Sequence, residues 1–173
     1  MRCVVTVVTL ALVGALIGGC AGASDSEVTP TVSRDALQKD VADKLSVAGE
    51  PARTVVCESD LVGEVGRTAY CDVAAGSGNG FQPIVTVTGT DDGAIQYDLT
   101  PALSREQLEA AVARLVAEKS YERVDSVSCG TGLTGRVGVS AECDVVAAGV
   151  QARRVVEVTD VSGLTMNFSL RTS

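Results

Sequence analysis

Two fifteen-residue segments of the chain begin and end with cysteine and share the same interior. They are CESDLVGEVGRTAYC, from Cys57 to Cys71, and CGTGLTGRVGVSAEC, from Cys129 to Cys143, and both contain Leu-x-Gly-x-Val-Gly. The likeness extends upstream, where SRDALQKDVADKL matches SREQLEAAVARLV, and downstream, where VTVTGTDDGAIQYDL matches VEVTDVSGLTMNFSL. Self-similarity at a period of about 71 residues indicates a duplication, and units of that length have the size of small domains.

Each unit opens with a predicted helix. Ser33 and Ser104 are typical N-cap residues, and Ser104-x-x-Gln107 is a capping box. Apolar residues then recur at a spacing of four: Leu37, Val41 and Leu45 in the first unit, and Leu108, Val112 and Val116 in the second. This spacing places one apolar stripe along each helix.

Extended segments follow each helix. We predict strands over residues 54–57, 68–73, 84–88 and 94–99, and over residues 123–129, 139–146, 154–159 and 164–170. Asp91-Asp92-Gly93 and Ser162-Gly163 have the composition of hairpin turns. The predicted fold class is α+β. It consists of two tandem repeats, residues 33–103 and 104–173, each with one helix packed on a four-stranded antiparallel sheet and closed by one disulfide.

The first twenty residues predict export. MRCVVTVVTLALVGALIGGC begins with one basic residue, continues with an apolar run from Cys3 to Ile17, and ends in small residues before Cys20. The run is short for a membrane span and suits a signal peptide, while Ile17-Gly18-Gly19-Cys20 resembles a bacterial lipobox. We therefore expect residues 1–19 to be a lipoprotein signal peptide, Cys20 to carry the lipid anchor, and residues 20–32 to form a flexible tether. The alternative is that Cys20 is a small apolar residue near an ordinary cleavage site.

The cysteine count then leaves two disulfides. Of six cysteines, Cys3 leaves with the signal peptide and Cys20 is lipidated. The remaining four could in principle hold zinc, but their spacing is too wide for the usual sites and the chain contains no histidine. Because each unit carries one cysteine loop, we predict the pairs Cys57–Cys71 and Cys129–Cys143. Closing a loop of this length stabilises a small domain by about 3 kcal/mol in the chain-entropy model.

Charge excludes nucleic acid as a partner. The whole sequence has 14 basic and 22 acidic residues, and removal of residues 1–19 takes away only Arg2, which leaves a net charge of −9. Residues 33–103 hold 5 basic and 11 acidic side chains, whereas residues 104–173 hold 8 and 9. An acidic chain without a basic cluster repels phosphate backbones and anionic lipid surfaces.

The order of these features resembles the family called domain of unknown function 4333, which occurs in exported proteins and lipoproteins of actinobacteria. The residues that carry the resemblance are Cys57, Leu61, Val65, Gly66 and Cys71, and then Cys129, Leu133, Val137, Gly138 and Cys143. The resemblance covers nearly all of residues 33–173. It implies a module associated with the cell envelope and no particular activity.

The motifs that could indicate catalysis or cofactor binding lack the surrounding structure that such chemistry requires. Gly130-Thr-Gly132-Leu-Thr-Gly135 has the G-x-G-x-x-G pattern but lies inside a cysteine loop rather than between a strand and a helix. Without histidine the usual nucleophile–base pairs cannot form. The acidic pair Asp91-Asp92 and the segment Glu58-Ser59-Asp60 are better explained as a turn and a solvated loop than as catalytic or calcium sites. We therefore expect no enzymatic activity, no catalytic residue, no cofactor and no metal site.

The paired basic residues of the sequence do not indicate a binding site either. Arg153-Arg154 is the one paired basic site of the sequence. Neighbours on a strand point to opposite faces, so a solvated strand edge explains the pair as well as a partner surface does.

These observations lead to two hypotheses. The first is a non-enzymatic interaction module, lipid-anchored on the extracytoplasmic face of the cell membrane, whose acidic first repeat faces a cationic partner near Asp91 and Asp92. The alternative is a carrier or sensor of a small apolar envelope ligand bound between the two repeats. The apolar strand face that includes Met166 and Phe168 motivates the alternative.

Overall fold

A computed structural model describes residues 29–49, 51–75, 80–120 and 123–172 of the 173-residue chain. The fold is α+β, with antiparallel sheets and two helices in this part of the chain. The elements of the first repeat are β1 (Thr31–Val32), α1 (Arg34–Val47), β2 (Ala52–Cys57), β3 (Leu61–Val62), β4 (Thr68–Ala75), β5 (Gly80–Phe81), β6 (Ile84–Asp91) and β7 (Ala94–Thr100). Those of the second are β8 (Ala102–Leu103), α2 (Arg105–Ser120), β9 (Val124–Cys129), β10 (Leu133–Thr134), β11 (Ser140–Ala147), β12 (Val150–Ser162) and β13 (Thr165–Thr172).

Both helices begin at the predicted serines. The Ser33 side chain accepts a hydrogen bond from the Ala36 amide at 3.4 Å. At the second helix the Gln107 amide donates to Ser104 Oγ at 3.2 Å, and the Ser104 amide donates to Gln107 Oε1 at 3.0 Å. The capping box is thereby confirmed, and it satisfies backbone donors that a helix N-terminus would otherwise leave unpaired.

The apolar stripes of the helices form the two cores. Leu37, Val41 and Leu45 of α1 are fully buried, as are Leu108 and Val112 of α2. The first cluster also takes buried residues from β2, β4 and β6, and the second from β9, β11 and β12. Each helix therefore covers one face of its own sheet, because only that face alternates into the core.

A tyrosine of the edge strand β7 also contacts α1. The Tyr97 hydroxyl donates to Asp40, and Lys44 Nζ lies 4.9 Å from the centre of the Tyr97 ring. Partial burial, followed by the hydrogen bond to Asp40, raises the pKa of Tyr97 above its usual range. The aromatic ring thus ties the helix to the far edge of the sheet.

The sheets match the predicted layout only in part. The second repeat has the expected four strands in the order β13-β12-β11-β9, but the first has five, β2-β4-β6-β7 with β5 paired to β4. Residue Pro83 stands between β5 and β6 at the position where β12 continues through Arg154. Proline has no amide hydrogen to donate, so the strand that is continuous in the second repeat is interrupted in the first.

Each repeat also has a two-stranded sheet that was not predicted. β1 pairs with β3, and β8 pairs with β10. Thr31 and Val32 therefore belong to the folded first repeat and not to the tether predicted to end at residue 32. Ala102 and Leu103, assigned to the first repeat from the sequence, pair with strand β10 of the second. Strands of two residues are too short to produce a periodic pattern, which is why the sequence did not indicate them.

Glycine permits the close approach that these small sheets need. The amides of Gly63 and Gly135 donate to the carbonyls of Pro30 and Pro101 at 2.8 and 2.7 Å. A Cβ on Gly135 would lie 2.6 Å from the Pro101 carbonyl oxygen, and one on Gly63 would lie 2.8 Å from the Pro30 oxygen. Any larger residue would collide with backbone at both positions.

The hairpin turns are close to the predicted positions. Asp92 and Gly93 have φ angles of 47° and 79° between β6 and β7, as a two-residue turn with left-handed backbone requires. The turn between β12 and β13 is Gly163–Leu164, one residue later than predicted. Ala148–Gly149 forms a further turn of the same kind, which the sequence did not indicate because alanine rarely adopts a positive φ.

The structure joins Cys57 to Cys71 and Cys129 to Cys143, the two predicted pairs. Each pair lies directly across two neighbouring strands, β2 with β4 and β9 with β11. The Cys57 amide donates to Gln38 Oε1 and the Cys71 amide to the Pro83 carbonyl, so neither bonds across the pair. In such non-hydrogen-bonded pairs the side chains are closest, which brings the two sulfurs together.

Side chains of the helices complete the edge of each sheet. Gln38 Oε1 accepts from the Cys57 amide at 3.1 Å, and Glu109 Oε1 accepts from the Cys129 amide at 2.9 Å. These amides point outward from edge strands, on the side where the sheet has no further strand to accept a hydrogen bond. The helix therefore supplies the acceptor that a further strand would otherwise provide.

In the described ranges, neither helix is long and apolar enough to cross a membrane.

Removing either disulfide should destabilise the protein. We expect the double variant Cys57→Ala/Cys71→Ala, and separately Cys129→Ala/Cys143→Ala, to lower the free energy of unfolding by about 3 kcal/mol, because the unfolded chain regains the freedom of the closed loop. Urea denaturation of the full-length protein, followed by circular dichroism, measures the loss. Reduction of the wild type should destabilise both repeats, and an unchanged midpoint in either double variant would contradict the assigned role.

Two glycines of the second cysteine loop should differ in their tolerance of alanine. Gly138 has a φ of 86° and open space around its Cα, so Gly138→Ala should cost only the backbone strain, about 1 kcal/mol. Gly135→Ala should cost about 3 kcal/mol, because its Cβ would meet the Pro101 carbonyl. Thermal unfolding of the two variants gives the comparison, and equal losses would show that the contact with Pro101 is unimportant.

Candidate interaction surface

The sheet of the first repeat leaves one face uncovered by its helix. Strand alternation buries Val73 and Val85 under α1 and turns their neighbours to the other side. The six residues that mark this other side, here called the first open face, are Val56, Glu58, Tyr70, Asp72, Ile84 and Asp98.

Apolar side chains run across the first open face from Val56 on the edge strand β2 to Tyr70 and Ile84 on the two inner strands, which form its apolar centre. Val56 is 58% exposed and Tyr70 is 39% exposed, while Ile84, directly opposite Tyr70 on the next strand, is half-buried. Large apolar side chains that stay exposed on a sheet carry a hydration cost that contact with another molecule would remove.

Acidic side chains surround this apolar centre. Glu58 and Asp72 each accept a hydrogen bond from Gln82 Nε2 at 3.2 Å, and Asp72 also accepts from Gln107 Nε2 at 3.4 Å. These donors are neutral amides. Among the residues that the structure describes, Glu58, Asp72 and Asp98 form no ion pair. These three acids therefore have no ion-pair partner in the described part of the chain, and the basic Arg105 that borders the face is paired with Glu106 and Glu109 instead.

The equivalent side of the second repeat is different. Its residues, here called the second open face, are Glu142, Asp144, Arg153, Val155, Glu157 and Arg171. Two arginines of this set are paired with its acids: Arg153 lies 3.3 Å from Asp144 and 3.9 Å from Glu142, and Arg171 contacts Glu157. The second open face thus neutralises most of its own charge.

A groove of about 450 Å³ lies where the first open face meets the second repeat. Tyr70, Gln82 and Ile84 line one side, and residues 102–106 and 131–134 line the other. Backbone hydrogen bonding in the first turn of α2, assisted by the Ser104 hydroxyl and Arg105, lowers the pKa of Glu106. The groove is consequently lined by charged and hydroxyl groups as well as by apolar ones.

The residues that motivated an apolar carrier lie elsewhere. Met166 and Phe168 pack against the buried cluster of the second repeat, under α2. Their alternation therefore reflects the core of that repeat, and they do not line the groove between the repeats.

The acidic segments singled out in the sequence have separate structural roles. Asp60 Oδ1 accepts from the Arg34 amide at 2.6 Å at the start of α1. Asp91 and Asp92 are exposed in the β6–β7 hairpin. Glu58 is the one member of these segments on the first open face. The described residues contain no group of three or more His, Cys, Asp or Glu arranged to hold a metal ion.

The two neighbouring arginines point to opposite sides of β12, as strand geometry requires. Arg153 is on the second open face, whereas Arg154 lines a small depression with Val116, Lys119 and Leu170. Only Arg153 therefore contributes to a surface comparable with the first open face.

Packing accounts for two of the three glycines in the G-x-G-x-x-G pattern. A Cβ on Gly132 would lie 2.4 Å from the Leu103 carbonyl oxygen, and Gly135 is held against Pro101, whereas Gly130 faces no comparable contact. The pattern runs from the end of β9 into β10 and not into a helix. This geometry lacks the helix N-terminus that would receive a pyrophosphate.

The predicted disulfide cysteines lie in the described part of the chain, and the predicted lipidation site does not. Cys57, Cys71, Cys129 and Cys143 are all in disulfides. The predicted lipidation site Cys20 and the signal peptide at residues 1–19 lie outside the described residues.

Sequence reasoning missed the difference between the two open faces. At the 71-residue offset, Gln82 corresponds to Arg153 and Thr100 to Arg171. An alignment of the repeats shows these exchanges, but only the strand register shows that both arginines fall on the same face as the acids they pair with. Net charge per repeat was the available signal, and it did not locate the acidic surface.

Comparison with known families and proteins gives one finding. A family model described as Domain of unknown function (DUF4333) matches residues 15–93 and, a second time, residues 94–163. The two matches together cover more than half of the chain. Neither a curated protein nor a solved structure matches significantly.

Proposed function

The chain belongs to the DUF4333 family, and from this premise we propose that it is a non-enzymatic interaction module of the cell envelope, anchored by lipid on the extracytoplasmic face of the membrane. The family description states no activity, so the proposal depends on the surface of this chain. Its basis is a duplicated scaffold, with one disulfide in each repeat, that presents an exposed, partly apolar face.

The first open face is the observation that carries the proposal. Val56 on the edge strand β2 and Tyr70 on the inner strand β4 remain exposed, with Glu58 and Asp72 beside them. Protein interfaces commonly combine an apolar, aromatic centre with a polar rim. A partner that covered this face would remove the apolar side chains from water and meet charged groups at its border.

The N-terminal sequence supports the cellular setting. The apolar run and the small residues before Cys20 have the pattern of a lipoprotein signal. A lipid on Cys20 would confine the module to the membrane surface, and the residues between Cys20 and the first strand at Thr31 would separate the repeats from the bilayer. Confinement raises the effective concentration of a weak binder near membrane-bound partners.

The alternative function is a carrier or sensor of a small apolar envelope ligand. The groove of about 450 Å³ between the repeats favours it, since its volume is within the range of small-molecule sites. Arg105, Glu106 and Thr131 on the lining make it less suited to an apolar ligand than an enclosed cavity would be. Native mass spectrometry of the protein purified from its own membrane would detect such a ligand as a bound mass.

Affinity capture from cells crosslinked before lysis tests the proposed function. The full-length protein should repeatedly recover one envelope protein, and the variant Cys20→Ala should recover much less of it, because loss of the anchor removes the module from the membrane surface. The matched control is Cys3→Ala, which changes a cysteine of the signal peptide and leaves the lipidation site intact. Repeated capture that returned no protein partner would argue against an interaction module, and recovery of a lipid or glycolipid instead would favour the carrier.

A further inference from the structure

We propose that the first open face binds a basic, extended segment of a partner protein, with lysine or arginine side chains placed against Glu58, Asp72 and Asp98. The inference deepens the proposed interaction function, on which it rests, by naming the surface and the chemistry of its partner. It follows from comparing two copies of one scaffold within the same chain.

Corresponding positions of the two repeats isolate the difference. Where the second open face has Arg153 between Asp144 and Glu142, the first has Gln82 between Asp72 and Glu58. Asp72 corresponds to Asp144, while Tyr70 stands where the second repeat has Glu142 and Glu58 stands where it has Gly130. Each face thus keeps two acids near this position, but the cation is replaced by a neutral amide. The counter-charge that the second repeat supplies itself is thus missing from the first.

A second exchange removes another cation one strand further on. Arg171 of β13 is opposite Val155, and Thr100 of β7 is opposite Ile84, so the two positions are equivalent. Arg171 contacts Glu157, whereas the first repeat has Thr100 and Thr86 at these two positions and neither charge. The only charged residue that β7 directs to this face is the acidic Asp98.

The apolar centre favours a polypeptide over a free cation. Lysine and arginine have long aliphatic stems that pack on apolar surface while the charged head remains beside an acid. Tyr70 offers such a surface and a ring face that attracts cations. A basic side chain over Tyr70 would therefore place its charge near Glu58, which is opposite Tyr70 across the strand pair.

Spacing suits an extended segment. Glu58 aligns through Tyr70 and Ile84 with Thr100, and Asp98 is two residues further along β7. Three strand-to-strand intervals and two residues along the strand separate the two acids by about 16 Å, which the long side chains of lysine or arginine help to span. Side chains four residues apart on an extended chain are about 13 Å apart and point to the same side. A segment with basic residues at alternate positions would thus reach both acids and place an intermediate basic residue near the centre.

Charge argues against the other occupants of such a face. A second copy of this chain would bring another acidic surface, since residues 33–103 carry 11 acidic and 5 basic side chains. An anionic bilayer would be repelled for the same reason. A basic protein segment is the occupant that satisfies both the acids and the apolar centre.

Fluorescence anisotropy with a defined probe tests the proposal. The probe is a labelled nine-residue peptide of alternating lysine and threonine, titrated with the full-length protein in detergent at low salt. The test variant is Gln82→Arg/Thr100→Arg, which transfers the arginines of the second repeat to the first. The control is Asp91→Asn/Asp92→Asn, which changes the net charge by the same amount in the hairpin about 20 Å along β6 from Ile84.

We expect the peptide to bind the wild type, the dissociation constant to rise at least tenfold in Gln82→Arg/Thr100→Arg, and to change less than twofold in the hairpin variant. Binding should weaken at high salt, and the same peptide with glutamate for lysine should not bind. Equal losses in the two double variants would overturn the proposal, since they would indicate attraction by net charge alone. Absence of binding to the wild type would overturn it as well.

A third variant keeps the test independent of folding. Asp98 is exposed, and its equivalent in the second repeat is Ser169, so Asp98→Ser should preserve the fold. The variant should raise the dissociation constant of the peptide about threefold. An unchanged dissociation constant would remove Asp98 from the proposed surface and contradict the placement of the segment.

The crosslinked capture separates failure of this surface from failure of the proposed function. If Gln82→Arg/Thr100→Arg recovers the same partner as the wild type, the interaction module stands and the first open face is not its binding surface. If the wild type recovers no partner while the peptide discriminates the variants as expected, the surface has the proposed chemistry and the envelope function is wrong.

Discussion

Each repeat depends on the attachment of one edge strand to the strand beside it, β2 to β4 in the first repeat and β9 to β11 in the second. A unit of about 70 residues buries a small core. Its edge strand, β2 in the first repeat, is bonded to the sheet on one side only and is therefore the strand that detaches most readily. Cys57–Cys71 fixes that strand covalently to β4, and Gln38 of the helix accepts its outward amide. The second repeat uses Cys129–Cys143 in the same way. Sheet, helix and disulfide therefore stabilise one another at one place.

This arrangement explains why one face of each sheet can vary. The cysteines, the apolar stripe of the helix and the close contacts of Gly63 and Gly135 all lie on the buried side or at the loops. The opposite face contributes little to the core, because strand alternation directs its side chains to solvent. Gln82 in one repeat and Arg153 in the other occupy equivalent positions on one scaffold, and the surfaces that result differ in charge.

The sequence predicted the elements that leave a periodic or chemical trace. Ser33 and Ser104 indicated where the helices begin, and Leu37 and Leu108 indicated the faces they bury. It did not predict β1, β3, β8 and β10, because two residues cannot establish an alternation, nor the interruption of the first sheet at Pro83. Met166 illustrates a pattern that was visible in the sequence but misinterpreted. The alternation of its strand suggested a ligand surface, whereas the structure packs Met166 against the core of the second repeat.

The sequence by itself determined the duplication, the α+β class and the two cysteine pairs. Each of these is recorded in local order and spacing, as Cys57 and Cys71 show with their counterparts one repeat later. Only the tertiary structure decided which charges share a surface. Glu58, Asp72 and Asp98 are up to 40 residues apart in the chain, and strand pairing brings them onto one face. Register is set by the apolar alternation of both strands together with the turns that join them, so the residues that share a face follow from how distant segments pair and not from one segment alone.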